Sequence, residues 1–339
     1  MYVRRAIRPA LMLRFAWKNL LVFTCWASVV AGGYAALLAQ GLDVRLPFLP
    51  LSTIGIAVAF YLGFKNSQSY DRFWEARKAW GGIINQSRVW ASQVCSFLPD
   101  HPAAGAPNKT EPHAIRQQLV YRQLAWANAL REQLRRTSLY ATHHVGRWVT
   151  SHAPSPTHTA DATEPQTARF LAFAEYQGVS GKANPAAQLL HAQALAVQQL
   201  LTVGEFDDFR RLDLLHTVKE CYALQGVCER IKNTPFPRQY AHFSTVFTWI
   251  FVVLLPLGLV GEFAKLGAGT WLMVPFSVLI SWIFTTIESV GDNSEDPFEN
   301  YINDVPMTAL CRSLEIDLRE MLGETELPPR LQPINDILL

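Results

Sequence analysis

The sequence predicts an all-α integral membrane protein, with four transmembrane helices and a large helical cytosolic region. Three observations carry this. Half of the 339 residues are hydrophobic and only 17% are charged, against roughly 25% charged in an ordinary soluble domain. The charges are missing from four windows: Asn19–Gln40 (22 residues), Leu46–Phe64 (19), Ala241–Gly261 (21) and Leu266–Ile287 (22). About 20 apolar residues cross a hydrocarbon core as a helix, so each window is long enough. Outside the windows the chain has a soluble-like charge density, and its apolar residues recur at helical spacing rather than alternating. The net charge of +2 argues against a dedicated nucleic-acid binder, which would show a strongly basic face.

The elements follow in order. Residues 1–18 form a cytosolic N-terminal segment carrying Arg4, Arg5, Arg8, Arg14 and Lys18. The first two spans lie within 19–64, and their connection carries only Asp43 and Arg45. The second span runs on without a break signal to about Leu98. Within the cytosolic region, 65–240, a proline-rich linker covers 99–112, and a linker rich in Pro, Thr and Ser covers 152–165. Between them Ile115–Arg136 spaces Leu119, Trp126, Leu130 and Leu134 as an amphipathic helix. Helices resume at Ala168–Glu175, Pro185–Leu201 and Phe206–Lys232.

Spans three and four occupy 241–287. Pro256 and Pro275 are expected to interrupt them, with Trp249, Trp271 and Trp282 near interfaces. Residues 288–339 give an amphipathic helix over Tyr301–Gly323 and an extended tail. Lys65, Arg72, Arg77, Lys78, Arg230, Lys232 and Arg238 flank the membrane on the side of the N-terminal arginines. Both termini are therefore expected in the cytoplasm.

Of the five cysteines, Cys25 lies in a span and Cys95, Cys221, Cys228 and Cys311 on cytosolic helices. No C-x-x-C pair occurs, so buried free thiols are expected. The Asn108-Lys-Thr sequon falls on the cytosolic side. No phosphate-binding loop, nucleophile elbow or zinc motif is present, and the adjacent His143 and His144 cannot share a helix face. The chain is not expected to be an enzyme.

The second span has a feature of its own. Ile56, Phe60 and Phe64 recur every four residues and form one stripe on a helix. Such a stripe either packs against another helix or faces a pore, where an apolar ring gates by dewetting. Gly55 and Gly63 would allow close helix approach in either case.

Three segments resemble the bestrophin family in its prokaryotic form. They are Leu62-Gly-Phe-Lys-Asn-Ser-Gln-Ser-Tyr-Asp-Arg-Phe-Trp-Glu, Cys228-Glu-Arg-Ile-Lys-Asn-Thr-Pro-Phe-Pro-Arg-Gln-Tyr, and Ile287-Glu-Ser-Val-Gly-Asp-Asn-Ser-Glu-Asp-Pro-Phe-Glu-Asn. They occur in the family's order, and the resemblance covers residues 10–98 and 185–320. It implies a homopentameric ion channel of the cell (inner) membrane, with its lipid, its own copies and permeant ions such as Cl⁻ or Na⁺ as partners. It implies a pore neck at Ile56, Phe60 and Phe64 and a cytosolic constriction at Phe209, beside Asp207 and Asp208. Phe ring edges favour anions, so a channel for anions such as chloride is expected; the two aspartates would favour the alternative, a sodium-selective channel of the same architecture.

Animal members bind Ca²⁺ at the segment corresponding to Asp292–Glu299. Here Asp292, Glu295 and Asp296 are diluted by Asn293, Ser294 and Pro297. The alternative is a helix N-terminal acidic cap with solvated charge, and no resident cofactor is expected. Two other classes remain: a secondary transporter coupled through Glu288 or His242, and a scaffold that does not conduct.

Overall fold

The second apolar window begins a helix of 50 residues, Phe48–Phe97. At 1.5 Å per residue it is about 75 Å long, more than twice the ~30 Å of a hydrocarbon core. It therefore joins a membrane half to a helical body outside. The computed structural model describes residues 1–7, 9–98, 112–136, 165–266, 269–301 and 303–339. The expected linkers lie almost entirely outside the described residues, as do His143, His144 and Asn108.

Nine helices are described: α1 (Pro9–Ala39), α2 (Phe48–Phe97), α3 (Pro112–Arg135), α4 (Phe173–Ser180), α5 (Pro185–Thr202), α6 (Asp208–Asn233), α7 (Arg238–Ala264), α8 (Met273–Ser294) and α9 (Met307–Met321). The segments long and apolar enough to cross a membrane are Phe15–Ala39, Phe48–Phe97, Arg238–Ala264 and Thr270–Ser294. Pairing outside helices is confined, among the described residues, to isolated bridges at the chain ends. Tyr2 pairs with Ile337 and Ile334 with Ile337. These bridges set the N-terminal segment beside the C-terminal tail, and Ala309 of α9 donates its amide to Leu339 O at 2.7 Å.

Two separate cores stabilise the halves. In the membrane half, Ala27, Ala31, Tyr34, Leu51, Val58, Leu62, Phe251, Leu255 and Met273 pack together. Small residues let these helices approach: Ser277, Ser281, Thr285 and Ser289 form a buried four-residue stripe on α8, as close membrane packing favours. Gly55 does the same on α2, since a Cβ there would lie 2.8 Å from the Phe251 ring. Gly63 faces open space in the single chain, so its expected close approach does not occur there.

The outer body closes on Trp80, Trp90 and Trp126 with leucines of α3, α5 and α6. Two of these three buried indoles have an acceptor for their N–H, while Trp80 Nε1 has none among the described residues. Trp90 finds Leu119 O at 3.2 Å and Trp126 finds Gln225 Oε1 at 2.9 Å.

Several expectations are corrected. Pro275 does not interrupt span four but sits in the first turn of α8, where its missing N–H has no helical acceptor to serve. Pro256 does lie inside α7. It lacks the donor for the carbonyl four residues back, and Trp26 Nε1 donates to the next one, Val253 O, at 3.0 Å. The expected helix at 168–175 is a 3₁₀ turn, Gln166–Phe170, followed by α4. The last amphipathic helix starts at Met307, not Tyr301. Before it Asn300 adopts positive φ (67°) and Asp304 Oδ2 accepts from Tyr301 N at 3.0 Å, a side-chain-stabilised turn that competes with helix. All five cysteines are free, but only Cys221, Cys228 and Cys311 are buried; Cys25 is exposed. Burial pushes the Cys221 and Cys228 thiols up to about 12, far from a reactive thiolate.

Candidate functional site

Helix α2 has two contrasting faces. Leu51, Gly55, Val58, Leu62, Lys65 and Ser69 are buried at helical spacing. On the opposite side Ile56, Phe60 and Phe64 remain 72%, 80% and 47% exposed. Exposure of apolar residues at membrane depth alone would suit a lipid-facing helix. The same face, however, continues without a break into exposed Ser67, Asp71, Trp74 and Lys78. One face of α2 thus passes from an apolar stripe to polar and charged residues along a single helix. Phe64 is the least exposed of the three because its ring lies 6.1 Å from that of Tyr240 on α7. Tyr240 in turn stacks on Tyr61 at 6.3 Å, bracing the C-terminal end of the stripe.

Below the stripe, three sequence segments far apart in the chain meet in one junction. Lys65, 1% exposed, donates to Glu288 Oε1 at 3.3 Å and to Asp292 Oδ1 at 2.9 Å. Asn66 Nδ2 reaches Ile287 O at 3.0 Å. About two turns on, Arg72 donates to three carbonyls: Glu295 at 3.0 Å, Thr234 at 2.8 Å and Ile231 at 2.8 Å. Arg230 pairs with Glu75 and Lys232 with Glu299. The first of the matched segments is thus fastened to both of the others.

The acidic run does not behave as expected. It closes the C-terminal end of α8 rather than capping a helix N-terminus, because α8 continues to Ser294. Carboxylates are unfavourable at a helix C-terminus, and here each turns to a cation of another element. Asp292 meets Lys65, Glu295 meets Arg238 at 3.2 Å, and Asp296 lies 4.0 Å from Arg72. Among the described residues, no group of three or more His, Cys, Asp or Glu is placed to hold a metal ion.

Glu295 is fully buried, and its Oε2 has no hydrogen-bond partner among the described residues. Burial, with Asp296 and Asp292 adding to it and Arg238 and Lys65 opposing, pushes its carboxyl up to about 7. A raised carboxyl binds its proton more tightly in the folded state, so its contribution to stability falls as pH rises from about 4.5 to 7. Glu295→Gln removes that loss. Thermal melts in detergent should show the variant gaining up to about 3 kcal/mol over the parent at pH 8, and little at pH 4. Equal melts at both pH values would contradict this.

The expected cytosolic constriction falls at the start of α6. Phe209 is 85% exposed. Asp207 is the helix N-cap and accepts from Arg210 N at 2.8 Å, and Arg210 Nε lies 3.5 Å from its second oxygen. Asp208 pairs with Arg211 at 3.1 Å. Two arginines one turn on thus answer the acidic pair. Of the transporter candidates, Glu288 also accepts from Thr245 Oγ1 at 2.6 Å and is committed to the junction. His242 neighbours Phe243 at 5.9 Å.

In the sequence Lys65 and Arg72 stand as positive charges beside a span and as members of the first matched segment, with no partner assigned to either. The signal was present: Lys65 continues the buried spacing of Leu51, Gly55, Val58 and Leu62. A cation on a helix's buried face requires a carboxylate from a neighbour.

Comparison with known proteins bears on the family and the fold. The model of the family described as bacterial/fungal bestrophin protein matches residues 3–320. The voltage-dependent anion channel-forming protein YneE of Escherichia coli is 30% identical over 298 residues, covering 86% of this chain and 82% of its own length. A voltage-dependent anion channel-forming protein of Mesorhizobium japonicum is 30% identical over 286 residues, with 84% and 77% covered. The crystal structure of a bacterial bestrophin homolog from Klebsiella pneumoniae superimposes with a TM-score of 0.74 at 28% identity, covering 91% of this chain and 98% of that one.

Proposed function

The chain belongs to the bestrophin family, and from that premise we propose that it is a passive channel, assembled as a homopentamer, for small monovalent anions such as chloride. The observation that carries this is the unbroken α2 face, with Ile56 and Phe60 bare in the single chain and polar residues below them. Five copies of that face around one axis give an apolar neck opening into a polar vestibule.

The chemistry follows from hydration. An apolar ring offers no ligands, so an ion crosses it at the cost of shedding water. Weakly hydrated anions pay less than strongly hydrated cations, and the positive edges of Phe60 and Phe64 favour negative charge. At the cytosolic constriction Phe209 stands beside carboxylates already paired to Arg210 and Arg211, which removes the main argument for cations. The names of the relatives point the same way. Both termini and the helical body lie on the cytoplasmic side of the inner membrane, following the arginines of the N-terminal segment.

Planar-bilayer recording of the purified protein tests this reading. The expected result is stepwise unitary current faster than alternating access permits. Flux without unitary steps, saturating at carrier rates, would overturn it.

A further inference from the structure

We propose that Lys65 is a positioning residue for the neck: the bonds of its buried ammonium to Glu288 and Asp292 set the rotation of α2 about its axis, and with it the width of the constriction. The inference rests on the channel reading above and adds the element that holds the constriction in place.

The argument is geometric. Lys65 follows Phe64 directly, so the two side chains project about 100° apart on the same helix. Any rotation that swings Phe64 away from the pore axis swings Lys65 by the same angle. A turn of about 30° moves a group at the ~6 Å outer radius of a helix by about 3 Å, enough to break hydrogen bonds of 2.9 and 3.3 Å.

The far side of the node is rigid. Glu288 and Asp292 lie one turn apart on α8, and Glu288 is also held by Thr245 of α7. Gly291 allows the close contact of α8 with α2, since a Cβ there would stand 3.0 Å from Asn66 Oδ1. Three spans thus share one buried cation. A buried charge left without its partners is costly, so α2 resists small rotations and yields only when the whole node changes partners.

The test reads neck width directly. Ile56→Cys is placed in the full-length protein, and a thiol-reactive methanethiosulfonate is applied from the cytosolic side. The reagent must pass Phe64 and Phe60 to reach residue 56, and block of current reports its arrival. Adding Lys65→Met should raise the rate of block about tenfold or more, an effect equivalent to about 1.4 kcal/mol. Lys65→Arg should return it to within about twofold. Asp292→Asn, which leaves Glu288 on Lys65, should give an intermediate rise and serves if the methionine variant does not assemble.

Pentameric Lys65→Met with the parent's rate, or an unchanged rate in Asp292→Asn, overturns the proposal while leaving the channel reading intact. A parent protein that carries no current overturns the channel reading itself.

Discussion

Replacing Ile56, Phe60 and Phe64 together with alanine raises the current per channel about tenfold or more. The barrier at an apolar constriction is the cost of emptying it of water, and truncating three rings of side chains lets water stay. A tenfold rise requires only about 1.4 kcal/mol off that barrier, a small share of the cost of stripping an ion. Stability should change little, because Ile56 and Phe60 are 72% and 80% exposed in the chain. Phe64 differs, since it touches Tyr240, so Phe64→Ala alone should lower the melting temperature more than Phe60→Ala does. Discrimination between ions should weaken in step with the rise in current, because one constriction sets both. Unitary recordings with a size-exclusion check of assembly decide the matter. A normally assembled triple variant with unchanged conductance would remove these residues from the neck.

Arg72→Ala abolishes stable protein. Three backbone carbonyls, from Glu295, Thr234 and Ile231, converge on its guanidinium. Two of them end helix α6 and the third lies just beyond α8, so one side chain closes both segments onto α2. Loss of a charged donor from several carbonyls at once costs about 3–5 kcal/mol. Arg72→Lys should rescue poorly, because an ammonium is a compact point charge and cannot match the guanidinium fork. Thermal shift and size-exclusion profiles in detergent check both variants. A melting temperature within about 2 °C of the parent would contradict the role given to Arg72.

How much of this was legible in the sequence follows from the range of each interaction. The four charge-free windows lead directly to the four membrane-crossing segments, because hydrocarbon demands length and apolarity of each segment by itself. The i, i+4 spacing of Ile56, Phe60 and Phe64 likewise placed them on one face, since helical periodicity is local. What the spacing could not decide was whether that face packs or stays bare. That depends on which residues of α2 other helices cover, and the covered set includes Lys65. The place of the acidic run at the end of α8 was hidden for the same reason. Asp292, Glu295 and Asp296 read as a cap or a cation cluster until Lys65, Arg238 and Arg72 arrive beside them from distant parts of the chain. The breaks around Pro275 and Met307 depended on turn geometry, where a missing donor is harmless at a helix start and an Asp side chain replaces a helical bond.

The central claim, an apolar neck that passes anions, is tested most directly by the reversal potential of the purified protein in a planar bilayer under a tenfold NaCl gradient. The account predicts a reversal close to the chloride Nernst potential. A reversal close to the sodium Nernst potential would contradict it.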